Sequence, residues 1–290
     1  MVDPSRRVRF GQAFILLAIF LPVLNEWVSY CSKVSRLGYV LLVPILAAAL
    51  AVQAGRKTDD AADETQRLRG TGGALGPLVL LGSALLYGLG SATGIFTLSI
   101  AAVPLAISGL VASWGGRRLV RRQARALVMA AFLVPVPLPL LDGMNPGLVD
   151  ASGTVAVFLL GFLDPGTSWV GSELGFEGWT LIVADACSGS GTSLSLFVLT
   201  VFLTGLFGLS PLSSGALALL VLPLSLVVNA LRIAATALLL AHIGPQAAAG
   251  LPHEILGQVL VIGTMGLLTW LVLRLTRHPS PAGPATEAAA

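Results

Sequence analysis

Eight times along this chain of 290 residues the sequence runs for some twenty residues almost without charge. That is the length an α-helix needs to cross the hydrocarbon core of a bilayer. No water is present there to satisfy a backbone N–H or C=O, so each such run is forced to close its own hydrogen bonds as a helix. The runs fall at residues 10–30, 37–54, 75–93, 95–114, 126–142, 187–208, 213–242 and 254–273. Only 11% of residues are charged and 55% are apolar, whereas soluble domains carry about 25% charged residues. A soluble fold is excluded, because this chain cannot cover its surface with polar groups. The reading is an all-α membrane protein of about eight transmembrane helices, forming one polytopic membrane domain over residues 1–278. The third and fourth runs are joined only by "SATG", which predicts a tight helical hairpin. The basic start followed by a long apolar run without an A-x-A site reads as a retained signal-anchor helix. The Pro/Ala-rich tail, 279–290, is expected to be disordered.

In such a protein a net charge of +3 reports topology and not a nucleic-acid partner. Arg6, Arg7 and Arg9 precede the first run, and Arg56, Lys57, Arg67 and Arg69 lie in the second loop. Arg117, Arg118, Arg121, Arg122 and Arg125 fill another loop, and Arg274 and Arg277 follow the last run. Placing the N-terminus in the cytoplasm puts these fourteen of the seventeen Lys and Arg on the cytoplasmic side. Only Lys33 and Arg36 fall outside, and Arg232 lies within a run. The expectation is a multi-pass protein of the cytoplasmic membrane with both termini inside. The Arg117–Arg125 cluster is then positioned to meet anionic lipid head groups, which makes membrane lipids an expected partner. Three histidines without HxxxH spacing and two cysteines without CxxC spacing give no metal site, and no cofactor is implied.

The long outside segment, 143–186, contains no Lys or Arg at all. Its first part, "GLVDASGTVAVFLLGFLD", is apolar over too few residues to span and reads as a re-entrant or interfacial helix. "SWVGSELGFEGWTLIVADA" then alternates with glycine punctuation, and "WTLIVAD" is rich in strand formers. A short extracytoplasmic β-hairpin is expected, feeding directly into Cys187 at the start of the sixth span.

Polar residues inside the spans are few and patterned. Ser225, Asn229, Arg232 and Thr236 have offsets of 0, 4, 7 and 11, which puts all four on one helix face. An arginine in a membrane span costs at least about 2.5–3.5 kcal/mol on insertion scales, so it must face the bundle interior and find a partner. It lies about ten residues, roughly 15 Å, below the outer end of its helix. His253 follows Pro252 and opens the eighth span at the outer face, with Gly257 one turn on. Cys187 opens the sixth span on the same side.

That grouping suits nucleophilic chemistry. A thiol attacks well only when ionised, and a helix N-terminus or a nearby cation favours ionisation. His253 is placed to take the thiol proton and return it to a leaving amine. Asn229, Arg232 or the backbone N–H groups after Cys187, at Ser188 and Gly189, are the candidates for holding an oxyanion. Two other readings stay open on the residues alone. One is a transporter or assembly scaffold whose Asn229/Arg232 face lines a path for an anionic solute such as a polysaccharide intermediate. The other is a Cys31–Cys187 disulfide.

"ACSGS" (186–190), "NALRI" (229–233) and "HEILG" (253–257), in that order near the ends of late spans, resemble the exosortase/archaeosortase family. "WVSYCSKVSRLGYVLLVPIL" and "FLVPVPLP" are similar to earlier segments of the same family. The resemblance implies a multi-pass cysteine transpeptidase or protease acting on exported proteins. Their C-terminal sorting tail consists of a short motif, a membrane helix and basic residues, of the PEP-CTERM type in bacteria. It also implies that Cys187 is the nucleophile and that Arg232 and His253 complete the triad, with the active site extracytoplasmic.

Overall fold

The computed structural model describes residues 4–56, 74–183, 189–246 and 250–277. Helix α1 (Pro4–Lys33) is followed by a 3-10 helix (Ser35–Leu42) that leads into α2 (Val43–Arg56). Helices α3 (Leu75–Thr93) and α4 (Phe96–Arg122) come next, then the short α5 (Ala124–Ala131) and α6 (Leu138–Leu160). A small sheet of β1 (Ser168–Val170), β2 (Glu173–Phe176) and β3 (Trp179–Ile182) precedes α7 (Ser190–Phe207), α8 (Pro211–His242) and α9 (Leu251–Arg277). Among the described residues seven helical stretches are long and apolar enough to cross a membrane, matching all the expected spans except the fifth. The architecture is that of an all-α multi-pass membrane protein. The charged connector within 57–73 and the tail beyond Arg277 lie outside the described residues.

The expected fifth span, 126–142, is not one helix. "VPVPLP" breaks it: Pro135 and Pro137 supply no backbone N–H, and each disfavours helical geometry in the residue before it. The chain makes the short α5, turns, and restarts as α6 at Leu138. Helix α6 then runs on through what was expected to be the beginning of the outside loop. Its apolar residues Val149, Ala156 and Leu160 are buried against Ala230, Ile233, Ala234 and Ala237 of α8. The apolar stretch too short to span is thus a helix paired along the half of α8 that carries Arg232.

The expected hairpin is a three-stranded antiparallel meander in the order β1-β2-β3. Its second turn sits at Glu177 and Gly178, both with positive φ (47° and 77°), a pairing that matches the twist of adjacent strands. Leu174 and Phe176 point from β2 into the same apolar cluster as α6 and α8, which fixes the register. Asp164, in the turn after α6, accepts hydrogen bonds from the N–H groups of Gly166 (2.8 Å) and Glu177 (3.1 Å). Those two bonds hold its carboxyl below the ordinary carboxylate range.

The α3–α4 hairpin, joined through Gly94 at φ 69°, packs backbone to backbone. A Cβ on Gly90 would lie 2.5 Å from the backbone nitrogen of Ser99, and one on Gly109 would lie 2.9 Å from that of Leu80. Ser83 donates to Ala102 O across the same seam (2.9 Å). Close approach of small residues is what drives helix association where lipid is as apolar as the side chains.

Two predictions follow from this packing. Gly90→Val forces the hairpin apart and lowers stability by about 1–3 kcal/mol or more, measured as unfolding in detergent micelles. Asp164 binds its proton less readily folded than unfolded, so its contribution is present at neutral pH and is lost as the pH falls below the ordinary Asp value of 3.8. Protection factors in 164–182, corrected for intrinsic exchange, should therefore fall on acidification in the native chain, and in an Asp164→Asn variant they should be low already at neutral pH and change little with pH.

Candidate active site at the head of three helices

The expected polar face of α8 exists, and its members divide between two neighbouring helices, α7 and α9. Ser225, deepest of the four, gives its proton to Leu222 O and lies 2.8 Å from Ser193 Oγ of α7. Ser193 Oγ is in turn 2.9 Å from Gly189 O. One turn up α8, Asn229 lies against Gly189: a Cβ built there would come within 2.9 Å of Asn229 Cγ. Gly189 has φ 79°, a conformation that side chains with a Cβ rarely adopt. The glycine therefore serves twice, by making the left-handed turn into α7 and by leaving room for the amide.

Arg232 and Thr236 reach the other neighbour, α9. Arg232 Nη2 is 3.1 Å from His253 Nε2, and Thr236 Oγ1 is 2.9 Å from His253 Nδ1. Thr236 Oγ1 also lies 2.8 Å from Arg232 O. A carbonyl can only accept, so the single hydroxyl proton goes to Arg232 O and the threonine oxygen accepts from Nδ1–H. That assigns the neutral Nδ1–H tautomer, with the Nε2 lone pair accepting from the guanidinium. Gly257 lets the helices approach: its Cβ would sit 3.2 Å from Arg232 Nε.

Two donors in this cluster have no hydrogen-bond partner among the described residues. They are Asn229 Nδ2 and Arg232 Nε, both buried. An unmade hydrogen bond at a buried N–H costs about 1–3 kcal/mol, so two on one helix face mark a place where an acceptor belongs. A cleft of about 450 Å³ adjoins Arg232, lined also by Thr192, Glu254, Gly257 and Gln258 together with aliphatic residues of α9.

The structure thus brings together Gly189 and His253, at the starts of α7 and α9, with Asn229 and Arg232 in the C-terminal half of α8. Cys187 and Ser188, with Asp185, lie outside the described residues. Chain continuity sets Cys187 two residues before Gly189. Cys31 is a free thiol, fully buried in the core formed by α1, the 3-10 helix and their neighbours. Among the described residues no group of three or more His, Cys, Asp or Glu is arranged to hold a metal.

Two contributors were not foreseen. Thr236 was noted for its face but not as the partner that fixes the imidazole. Only the neighbouring helix reveals it, since His253 lies 17 residues away in sequence. Arg36, read simply as an outside charge, pairs with Asp142 at 3.0 Å. Its backbone also packs on the first turn of α7, where a Cβ on Gly191 would be 3.1 Å from Arg36 Cα. No sequence signal links residues so far apart. As a check on the network, ¹⁵N chemical shifts of His253 should report Nδ1–H and unprotonated Nε2 at neutral pH. Thr236→Val should abolish that tautomer preference, and Thr236→Ser should restore it.

No curated protein and no solved structure matches the chain. The family model described as transmembrane exosortase (Exosortase_EpsH) matches residues 27–270, a stretch that begins in α1, ends in α9 and contains every member of the cluster. The chain belongs to the transmembrane exosortase family.

Proposed function

We propose that the protein is a cysteine transpeptidase or protease that removes the C-terminal sorting tail of exported proteins at the outer face of the cytoplasmic membrane. The observation that carries this reading is the pair of buried donors without a partner among the described residues, Asn229 Nδ2 and Arg232 Nε. They stand beside the turn at Gly189 that follows the candidate nucleophile.

In this mechanism the Cys187 thiolate attacks the scissile carbonyl carbon and a C–S bond forms. The carbonyl oxygen becomes an oxyanion and accepts from Asn229 Nδ2 and Arg232. Donors aimed at that position stabilise the charge as it develops. His253 is neutral in the hydrogen-bond network, which is the form able to take the thiol proton. To do so its Nε2 leaves Arg232 Nη2, and the freed guanidinium turns to the oxyanion. Collapse breaks the C–N bond, and the imidazolium passes its proton to the departing amine. The resulting thioester is then released to an amine, a hydroxyl or water. Thr236 keeps Nδ1 engaged throughout. The cleft lined by Arg232, Glu254 and Gln258 receives the extended segment of the tail.

The test is processing of tail-bearing exported proteins of the host, followed by the mass of the mature form. Cys187→Ala, Arg232→Ala and His253→Ala should each reduce tail removal by at least about a hundredfold while membrane insertion is unchanged. Undiminished processing in the Cys187→Ala variant would overturn the mechanism.

A further inference from the structure

Away from the candidate site, at the opposite end of α7 and α8, two cavities meet. One, of about 330 Å³, is lined by Gln53 and Ala54 of α2 and by Arg121, Arg122 and Arg125. The other, of about 390 Å³, is walled almost entirely by apolar side chains of α2, α4 and α5. Ala126 is a wall of both.

The three arginines differ in what they do. Arg122 is committed to the end of α2, donating from Nε and Nη2 to Ala54 O (3.1 and 2.7 Å) and from Nη2 to Gly55 O (3.2 Å). Gln53 is committed too, donating to Leu206 O at the end of α7 (2.6 Å). The guanidinium groups of Arg121 and Arg125 make no hydrogen bond or ion pair with any described residue. Arg125 is nevertheless placed, its guanidinium lying over Gly208, where a Cβ would come within 3.3 Å of Nη1. Among the described residues no carboxylate lines either cavity.

The backbone explains why the charges gather here. Helix α4 breaks at Gly115 and Gly116, the latter at φ 61° and ψ −160°, directly after Trp114. The chain beyond the break turns its arginines towards the ends of α2 and α7, while Leu119 and Gln123 line the apolar cavity. The side-chain carbonyl oxygen of Gln123 is buried there without a partner among the described residues.

We infer that this juxtaposition is a binding site for one anionic phospholipid, with its phosphate on Arg121 and Arg125 and an acyl chain in the apolar cavity beside Ala126. The charge complementarity selects an anionic head group, and the adjoining apolar cavity selects a lipid over a free phosphate. A head-group hydroxyl near Gln123 has an acceptor waiting in the side-chain Oε1, which has no partner among the described residues. The inference does not depend on the catalytic reading, since none of these residues belongs to that site.

The experiment is native mass spectrometry of the full chain released from micelles after equilibration with equimolar phosphatidylglycerol and phosphatidylcholine. The protein should retain phosphatidylglycerol about tenfold over phosphatidylcholine, from two arginines near the surface. The double variant Arg121→Gln/Arg125→Gln should lose that preference while its unfolding temperature in lipid-free detergent is unchanged. Ala48→Phe, an exposed residue on the wall of the apolar cavity, should weaken retention with every charge in place. Equal retention of the two lipids by the native chain overturns the proposal. So does competition by millimolar inorganic phosphate that matches the lipid, which would make the site a plain anion site. A preference that survives in the double variant, or a native preference that Ala48→Phe leaves intact, overturns it as well.

Discussion

Arg232 sits within a membrane-spanning helix, and a cation at that depth is tolerated only with its donors satisfied inside the bundle. One of them is met by His253. That single bond obliges α9 to pack against the C-terminal half of α8, and Gly257 is the residue that makes the approach possible. Thr236 closes the arrangement by accepting from the other side of the imidazole ring. On the opposite flank, Asn229 requires a neighbour without a side chain, which Gly189 supplies. The registration of the last three helices thus follows from where one charged residue must put its protons.

The remainder of the fold supports this assembly from two directions. Helix α6 and the sheet cover α8 with an apolar layer, which excludes water from the flank of the polar face and strengthens each hydrogen bond within it. The 3-10 helix braces the head of α7 through the backbone of Arg36, itself held to Asp142. The α3–α4 hairpin packs mainly on α1 and α5 and contributes no side chain to the cluster. It is framework, held together by glycine and serine in place of interdigitated large residues.

Much of this was legible in the sequence because the physics is local. Apolar runs of membrane length, the helical periodicity of Ser225, Asn229, Arg232 and Thr236, and Pro252 ahead of His253 all read directly, since each depends on spacing within one helix. The break at "VPVPLP" was also written in the sequence, but an apolar count outweighed three alternate prolines. The extension of α6 to Leu160 was not legible. Its apolar stretch is too short to span, and only pairing along α8 gives it a buried face. The Arg36–Asp142 bond and the Thr236–His253 bond were equally out of reach, since each joins separate elements and neither residue type announces its partner.

Asn229 and Arg232 are three residues apart on one helix, so the separation of their two unpartnered donors is set by the covalent geometry of a single turn. It does not depend on how the bundle is assembled. His253 stands on a different helix and is tied to Arg232 and Thr236 by hydrogen bonds. A displacement of α9 would therefore shift the imidazole relative to Asn229 and Arg232 while leaving those two in register. The cluster divides by helix, with the boundary running between Arg232 and His253.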